Sequence, residues 1–485
     1  MEYKDLLAFM VKFLEMTPNL QSLRWSNQGI YKDVYRTFVL QEPCIINQLK
    51  QQPGLRNLWI EFSPNEGPVY CWPRLLEAFC NLTSLDLYNF TGDRSHITAE
   101  LARCLVNCPN LRSLGLGQRG HDAEHLYVPR LVVIEGEDGN FLEQLCLLYH
   151  TRYESHPLNL HTLRLGYGTS PYAPKLKENH NYLKRLVCTR KLRTLDIFNG
   201  RWIKSLEDYP GNKLPIDYQL LDDCDSLANL SVTDVDDDLK DWLSDKRRSS
   251  IRTISVANYS DKFLGPSYEL DLPNISSIII RMFDAQWYGP VGDWHAEDLI
   301  SQFAIPKYTI LDNLSIKGLQ CLSRLTLSIH YRKQWDHLYS RLADLKSLKQ
   351  LRLDPLFEGT TLSKARSLDF SNAKCDADIA YIYAQEISKI CPSLRYLMIS
   401  LRERKSSAWE IIPAGEGAQG RRLQGVILKD IDSFEHFPDI FDIPGKVAGL
   451  RVKSICDGFE EYPFLVWAQP DNSDYSWFLR RMMLT

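Results

Sequence analysis

The chain lacks most of the marks that would tie it to a membrane, a nucleic acid or a catalytic reaction. No uncharged apolar run approaches the roughly 18–20 residues needed to cross a bilayer. The opening stretch, Met1 to Met16, carries Glu2, Asp5 and Glu15 among its apolar positions, which describes an amphipathic helix and not a secretory leader. The last four residues, Met-Met-Leu-Thr, form no lipidation box. A formal charge of −4 leaves no basic surplus of the kind that grips phosphate backbones, so neither nucleic acid nor membrane is expected as a partner. No phosphate-binding P-loop, H-E-x-x-H or G-x-S-x-G occurs. The twelve cysteines include no Cys-x-x-Cys pair. With no leader to an oxidising compartment, they read as reduced, mostly buried thiols of the cytoplasm or nucleus, holding neither disulfides nor metal.

Three short patterns imitate functional motifs and fail on context. Gly415-Glu-Gly417-Ala-Gln-Gly420 spells G-x-G-x-x-G, but Pro413 precedes it and Arg421 to Leu428 reads as a strand. A dinucleotide site needs the reverse order, strand before and helix after. Asp234, Asp236 and Asp238 resemble the start of a calcium loop, yet Leu239 stands where the turn glycine belongs and Asp245 where the bidentate glutamate belongs. His121 and His125 are four apart with no third ligand in view. No catalytic, cofactor-binding or metal-binding residue follows from any of these, and the chain is expected to be no enzyme and to need no cofactor.

What is present is one unit repeated. Asn107 to Leu116, NCPNLRSLGL, places Leu111, Leu114 and Leu116 at the spacing L-x-x-L-x-L behind an apolar helical run ending at Cys108-Pro109. Ile390 to Ile399, ICPSLRYLMI, repeats it behind Ile379, Ile382, Tyr383 and Ile387. Cys80 and Cys224 are placed like Cys108 and Cys391, just ahead of a strand. The same strand core begins at Leu20, Leu55, Leu82, Leu160, Leu192, Leu227, Ile251, Ile275, Leu322 and Leu348, with weaker copies at Arg366–Phe370 and Leu423–Leu428. The period is roughly 24–35 residues. Each copy is one helix, one tight turn and one short strand. Such a unit cannot bury its own apolar face, so stacking is required.

These units resemble the leucine-rich repeat in its longer, cysteine-containing, ribonuclease-inhibitor-like form, and most of all the irregular arrays of fungal F-box proteins. The resemblance implies an α/β leucine-rich-repeat solenoid, an irregular horseshoe with a parallel inner sheet and outer helices. It covers residues 1–428, with insertions near 117–159 and 281–321. The first of these has room for a further copy at Tyr127–Ile134 and a helix from Phe141 to Tyr149. Residues 429–485 read as an aromatic-rich C-terminal cap. Phe90, Arg119 and Gly168 stand where the Asn or Cys after the strand usually sits, so the asparagine ladder of regular repeats is incomplete.

The resemblance further implies the substrate-recognition part of an F-box subunit in a Skp–cullin–F-box ubiquitin ligase. No F-box is visible in the chain. The uncapped first helix leads to the expectation of a segment upstream of Met1, and a Skp adaptor is expected only if that segment is an F-box. The alternative is a free-standing repeat scaffold or regulator with no ubiquitin role. Either way a protein partner is expected on the concave face, which would display Arg24, Trp59, Tyr88, Arg164, Tyr167, Asp196, Phe198, Arg281, Arg324, Arg352 and Tyr396. Side chains alternate along a strand, and arginine and large aromatics are enriched in binding hot spots. Arg281, Arg324 and Arg352 fall on consecutive strands and would make a basic stripe suited to an acidic or phosphorylated segment.

Overall fold

In the computed structural model the described residues are 3–26, 42–61, 76, 79–88, 94–117, 141–153, 155–166, 169–174, 176–197, 216–232, 237–244, 246–256, 272–280, 310–314, 316–355, 364–402, 405–412 and 422–426. They fall into two compact units, one ending at Leu227 and the other beginning at Ala228.

The first unit alternates helix and strand. Helices α1 (Tyr3–Met16), α2 (Pro43–Lys50), α3 (Arg94–Val106), α4 (Phe141–Tyr153) and α5 (Tyr182–Leu186) accompany strands β1 (Ser22–Ser26), β2 (Asn57–Glu61), β3 (Ser84–Tyr88), β4 (Ser113–Gly117), β5 (Thr162–Leu165) and β6 (Thr194–Ile197). All six strands run parallel, in sequence order. The second unit holds β7 (Asn229–Val232), β8 (Thr253–Val256), β9 (Ser277–Ile280), β10 (Arg324–Ile329), β11 (Gln350–Pro355) and β12 (Tyr396–Arg402), again parallel and in order. Its helices are α6 (Asp237–Ser244), α7 (Ile316–Cys321), α8 (Tyr331–Leu342) and α9 (Asp376–Ile390). Each unit is a stack of leucine-rich repeats, and the chain is an α/β solenoid of the expected class.

The register shows why. Leu58, Leu85, Leu114, Leu163 and Leu195 lie side by side, as do Ile60, Leu87, Leu116, Leu165 and Ile197. Every one is almost fully buried. Each leucine of a repeat therefore covers its counterparts in the next, which one unit could not do alone. Helix α9 supplies the matching face with Ile379, Ala380, Tyr383, Ala384 and Ile387 buried at helical spacing. Its start is fixed by Asp378, whose carboxylate accepts the backbone N–H of Lys374 at 2.7 Å and of Cys375 at 3.1 Å.

The turn before each strand is one device built from different residues. The residue three before the first leucine gives its carbonyl to that leucine's N–H: Cys108 to Leu111, Cys224 to Leu227, Cys391 to Leu394, but also Gln52 to Leu55, Thr189 to Leu192 and Leu345 to Leu348. Cys108, Cys224 and Cys391 are buried there. Cys80 is exposed, because Phe79 fills the buried place in its repeat. Of the ten described cysteines five are buried, and all ten are free thiols.

A second device runs along the strand entrances. The carbonyl of Gln21 accepts the N–H of both Arg56 and Asn57, Arg56 those of Thr83 and Ser84, and Thr83 those of Arg112 and Ser113. Arg112 accepts from His161 and Thr162, and His161 from Arg193 and Thr194, all at 2.7–3.1 Å. The second unit repeats the rail from Ala228, Arg252, Ser276, Ser323 and Lys349 to the strand that follows each. Thr83 and Ser323 add their hydroxyls, at 3.2 and 3.0 Å, to the carbonyls of Arg56 and Ser276. This backbone rail joins the repeats whatever becomes of an asparagine ladder. Phe90, Arg119 and Gly168 lie outside the described residues.

Two expectations are corrected by the strand pairing. Strand β4 pairs directly with β5, and the further copy expected at Tyr127–Ile134 lies outside the described residues. The helix that follows is present as α4. Strand β11 pairs directly with β12, and Arg366–Phe370 is turn, with Phe370 packed 5.4 Å from the ring of Tyr383. Leu423–Leu428 does begin as a strand, β14 (Arg422–Val426), but it pairs antiparallel with β13 (Lys405–Ile412), itself antiparallel to β12. Apolar spacing matches a strand in either direction, so the template could not tell a last repeat from a closing meander. The cap at 429–485, the glycine run at 415–420, Asp234, Asp236, His121 and His125 lie outside the described residues.

Candidate functional site

On the face opposite the leucines, the third and fifth positions of L-x-x-L-x-L form rows across the strands. In the first unit the third-position row is Ser22, Asn57, Ser84, Ser113, Thr162 and Thr194, small groups capable of bonding sideways. Asn57 donates its amide N–H to Ser22 Oγ at 2.9 Å, and Thr83 donates its hydroxyl to Asn57 Oδ1 at 3.1 Å. The fifth-position row is Arg24, Trp59, Asp86, Gly115, Arg164 and Asp196.

That second row is a chain of contacts. The Arg24 guanidinium lies 4.4 Å over the Trp59 ring, and Trp59 sits 6.0 Å from Tyr88. Tyr88 donates its hydroxyl to Asp86 Oδ1 at 2.9 Å. Arg164 reaches across the intervening strand to Asp86 Oδ1 at 3.2 Å and to Ser113 Oγ at 3.1 Å. Its Nε lies 3.7 Å from Asp196 Oδ2, an ion-pair rather than a hydrogen-bond distance. The bridge depends on Gly115. A Cβ there would stand 2.0 Å from Asp86 Oδ1 and 2.3 Å from the Tyr88 hydroxyl. Arg164, Asp86 and Asp196 are at most 4% exposed, so these charges are held by one another rather than by water.

Among the sequence-derived candidates, Arg24 is exposed, Trp59, Tyr88, Arg164 and Asp196 are buried, and Tyr167 and Phe198 lie outside the described residues. Asp86, which joins Tyr88 to Arg164, is not one of these candidates. The sequence signal for it is an aspartate and an arginine at the same position of L-x-x-L-x-L two repeats apart, Asp86 and Arg164.

In the second unit the third-position row is Asn229, Thr253, Ser277, Arg324, Gln350 and Tyr396, and the fifth-position row is Ser231, Ser255, Ile279, Thr326, Arg352 and Met398. Arg324 and Arg352 therefore occupy different rows, two residues apart along the strand, and Arg281 falls one place past the end of β9, outside the described residues. Arg324 and Arg352 thus do not belong to one row. Arg352 is moreover engaged with Asp354, its Nε at 3.0 and 3.1 Å from the two carboxylate oxygens, and Ser400 donates to the same Asp354 at 2.9 Å. Arg324 and Tyr396 are half-buried with Gln350 between them. Burial pulls the pKa of Arg324 below its usual value, and among the described residues no carboxylate pairs with it.

Nothing in these rows assembles a nucleophile, a base and an orienting group. Among the described residues no cluster of three or more His, Cys, Asp or Glu is placed to hold a metal ion, and no helix is long and apolar enough to cross a membrane.

No protein-family model matches the chain. No curated protein matches it either. One solved structure, "Crystal structure of TLR13-ssRNA13 complex", aligns with 80% of this chain and 55% of its own at 13% identity, so this chain spans about half the length of that protein. The TM-score is 0.25.

Proposed function

We propose that this chain is a protein-binding scaffold with no catalytic role of its own, and that its partner lies against the sheet face opposite the helices. The observation that carries the reading is the row Arg324, Gln350, Tyr396. It sets an arginine and a tyrosine, half-exposed, two strands apart on a rigid sheet, the residue types and placement that anchor protein interfaces. Arg24, exposed beside Trp59, offers a similar group in the first unit. The test is comparative affinity purification of the wild-type chain and the Arg324→Glu/Tyr396→Ala variant from the native cell. A defined set of proteins should be lost with the variant while its melting temperature is unchanged. Retention of the whole set removes this face as the docking surface.

The finer reading is the substrate-recognition part of a Skp–cullin–F-box ubiquitin ligase, working in the cytoplasm or nucleus. It is supported by the resemblance of the NCPNLRSLGL and ICPSLRYLMI units to F-box arrays. Its requirement is an F-box encoded upstream of Met1 in the same transcript. Sequencing the 5′ end and assaying for a Skp adaptor in the native complex decide it. A transcript with no in-frame F-box, and complexes without the adaptor, leave the free-standing scaffold.

A further inference from the structure

The rail of backbone bonds at the strand entrances fixes the second position of L-x-x-L in every repeat, and that column carries a charge bias. Its twelve members are Gln21, Arg56, Thr83, Arg112, His161 and Arg193, then Ala228, Arg252, Ser276, Ser323, Lys349 and Arg395. Six are arginine or lysine and none is acidic. A chain with 57 such residues in 485 would place one or two there. All six are exposed.

Each unit holds three of the six; in the first, Arg112, His161 and Arg193 stand at the entrances of three adjacent strands, each joined to the next by the shared carbonyl. Parallel strands lie about 4.8 Å apart, so the row covers about 10 Å. Lys191 and Arg190 in the turn before β6 extend it outward, both exposed. Their mutual field is felt at His161: burial first, then Arg112, Arg193 and Lys191, push its pKa below the usual value. Arg112 is oriented by a hydrogen bond to the Asn159 carbonyl at 3.1 Å. Among the described residues no carboxylate pairs with Arg112, Lys191 or Arg193, and Asp223 of the following turn is taken by Lys184 at 2.5 Å.

We infer that the strand-entrance rim of the first unit, Arg112, His161, Lys191 and Arg193, is a docking surface for an extended acidic segment of a protein partner. Planar guanidinium forks at a regular spacing suit carboxylates carried by an extended chain. The rim column of this unit has no Tyr, Trp or Phe on which a base could stack, which favours peptide over single-stranded nucleic acid. The rim is a different surface from the Arg324–Tyr396 row, so each stands or falls by its own variants.

The experiment uses the full 485-residue chain and a fluorescein-labelled decapeptide of alternating Glu and Ser, read by anisotropy at 50 and 200 mM NaCl. Saturable binding is expected, weaker at the higher salt. Arg112→Glu/Arg193→Glu should weaken it about tenfold or more, at unchanged melting temperature. The charge-matched control Lys50→Glu/Lys333→Glu, on exposed helical positions, should change it less than twofold. Should the glutamate pair unfold the chain, Arg112→Gln/Arg193→Gln keeps a donor at each position and should still cost several-fold. Absence of binding at 50 mM salt, equal binding by the rim variants, an equal loss in the control, or stronger competition by a uridine decamer than by unlabelled peptide would each overturn the inference.

Discussion

Arg164 carries the largest single burden in the first unit. Its single positive charge faces two buried carboxylates, Asp86 on β3 and Asp196 on β6. Replacing Arg164 by methionine roughly keeps the volume and removes the positive charge from beside both carboxylates, which costs on the order of 3–5 kcal/mol. Gly115→Ala should destabilise by a smaller amount, about 1–3 kcal/mol, by driving a methyl into the Asp86–Tyr88 contact. Urea denaturation measures both. The double variant should lose less than the two separately, because Asp86, released from Arg164, can shift away from the methyl. A strictly additive double variant would show that the strain at Gly115 is independent of the bridge.

A second residue gives the protein an acid sensitivity. His330 is buried at the start of α8, where burial, then Lys333 and Arg332, lower its pKa to about 4. The unfolded chain takes up this proton near pH 6.5 and the folded chain only near 4, so protonation favours unfolding. The stability due to a neutral His330 is complete above pH 6.5 and is lost as the pH falls toward 4, by about 2–3 kcal/mol. His330→Asn, acceptable at a helix start, should flatten the dependence of the urea midpoint between pH 7 and pH 4.5. An unchanged slope would assign the acid sensitivity elsewhere.

At the scale of the element, the helix–turn–strand unit was legible because its two periods are physically distinct. A buried stripe every three to four residues and leucines at L-x-x-L-x-L cannot be satisfied by one conformation. The turn was legible only in part. Cysteine was a marker for a buried place that Gln52, Phe79, Thr189 and Leu345 fill equally well, so Cys80 was misjudged by one residue. This has a test. Cys108→Ser puts a hydroxyl into a place that is 0% exposed and should cost about 1–3 kcal/mol. Cys80→Ser, at the surface of the neighbouring repeat, should stay within about 0.5 kcal/mol. Equal costs would contradict the assignment of Phe79 to the buried place. The arginine stripe misled for a related reason: without register, "the residue between the leucines" was counted at the third position in one strand and the fifth in another, and only strand pairing separates the two.

At the scale of the whole molecule, stability is a sum over neighbours rather than a property of one core. Leu114 is fully buried between its counterparts Leu85 and Leu163. Leu114→Ala should cost about 2–5 kcal/mol. Hydrogen exchange should show the loss of protection concentrated in β3, β4 and β5 and weaker toward β1. Uniform loss through the unit would mean that it opens as a single block. The solenoid class could be read from the sequence because repetition multiplies a weak local signal. The buried charge network of the sheet face could not, since it depends on which repeats are neighbours in space.

The shared-carbonyl rail has a consequence for how such a chain can change over generations. Ser276 and Ser323 are 47 positions apart, yet the second still returns its N–H to the carbonyl of the first, just as Lys349 does to Ser323 after 26. The rung asks only that the backbone come back to one place, not that the excursion have any given length or content. Connections between repeats can therefore gain or lose material by insertion while the sheet keeps its order. That freedom makes these connections natural grafting points: a foreign module spliced into residues 281–309 should leave the β9–β10 pairing, and the repeats on either side of it, in place.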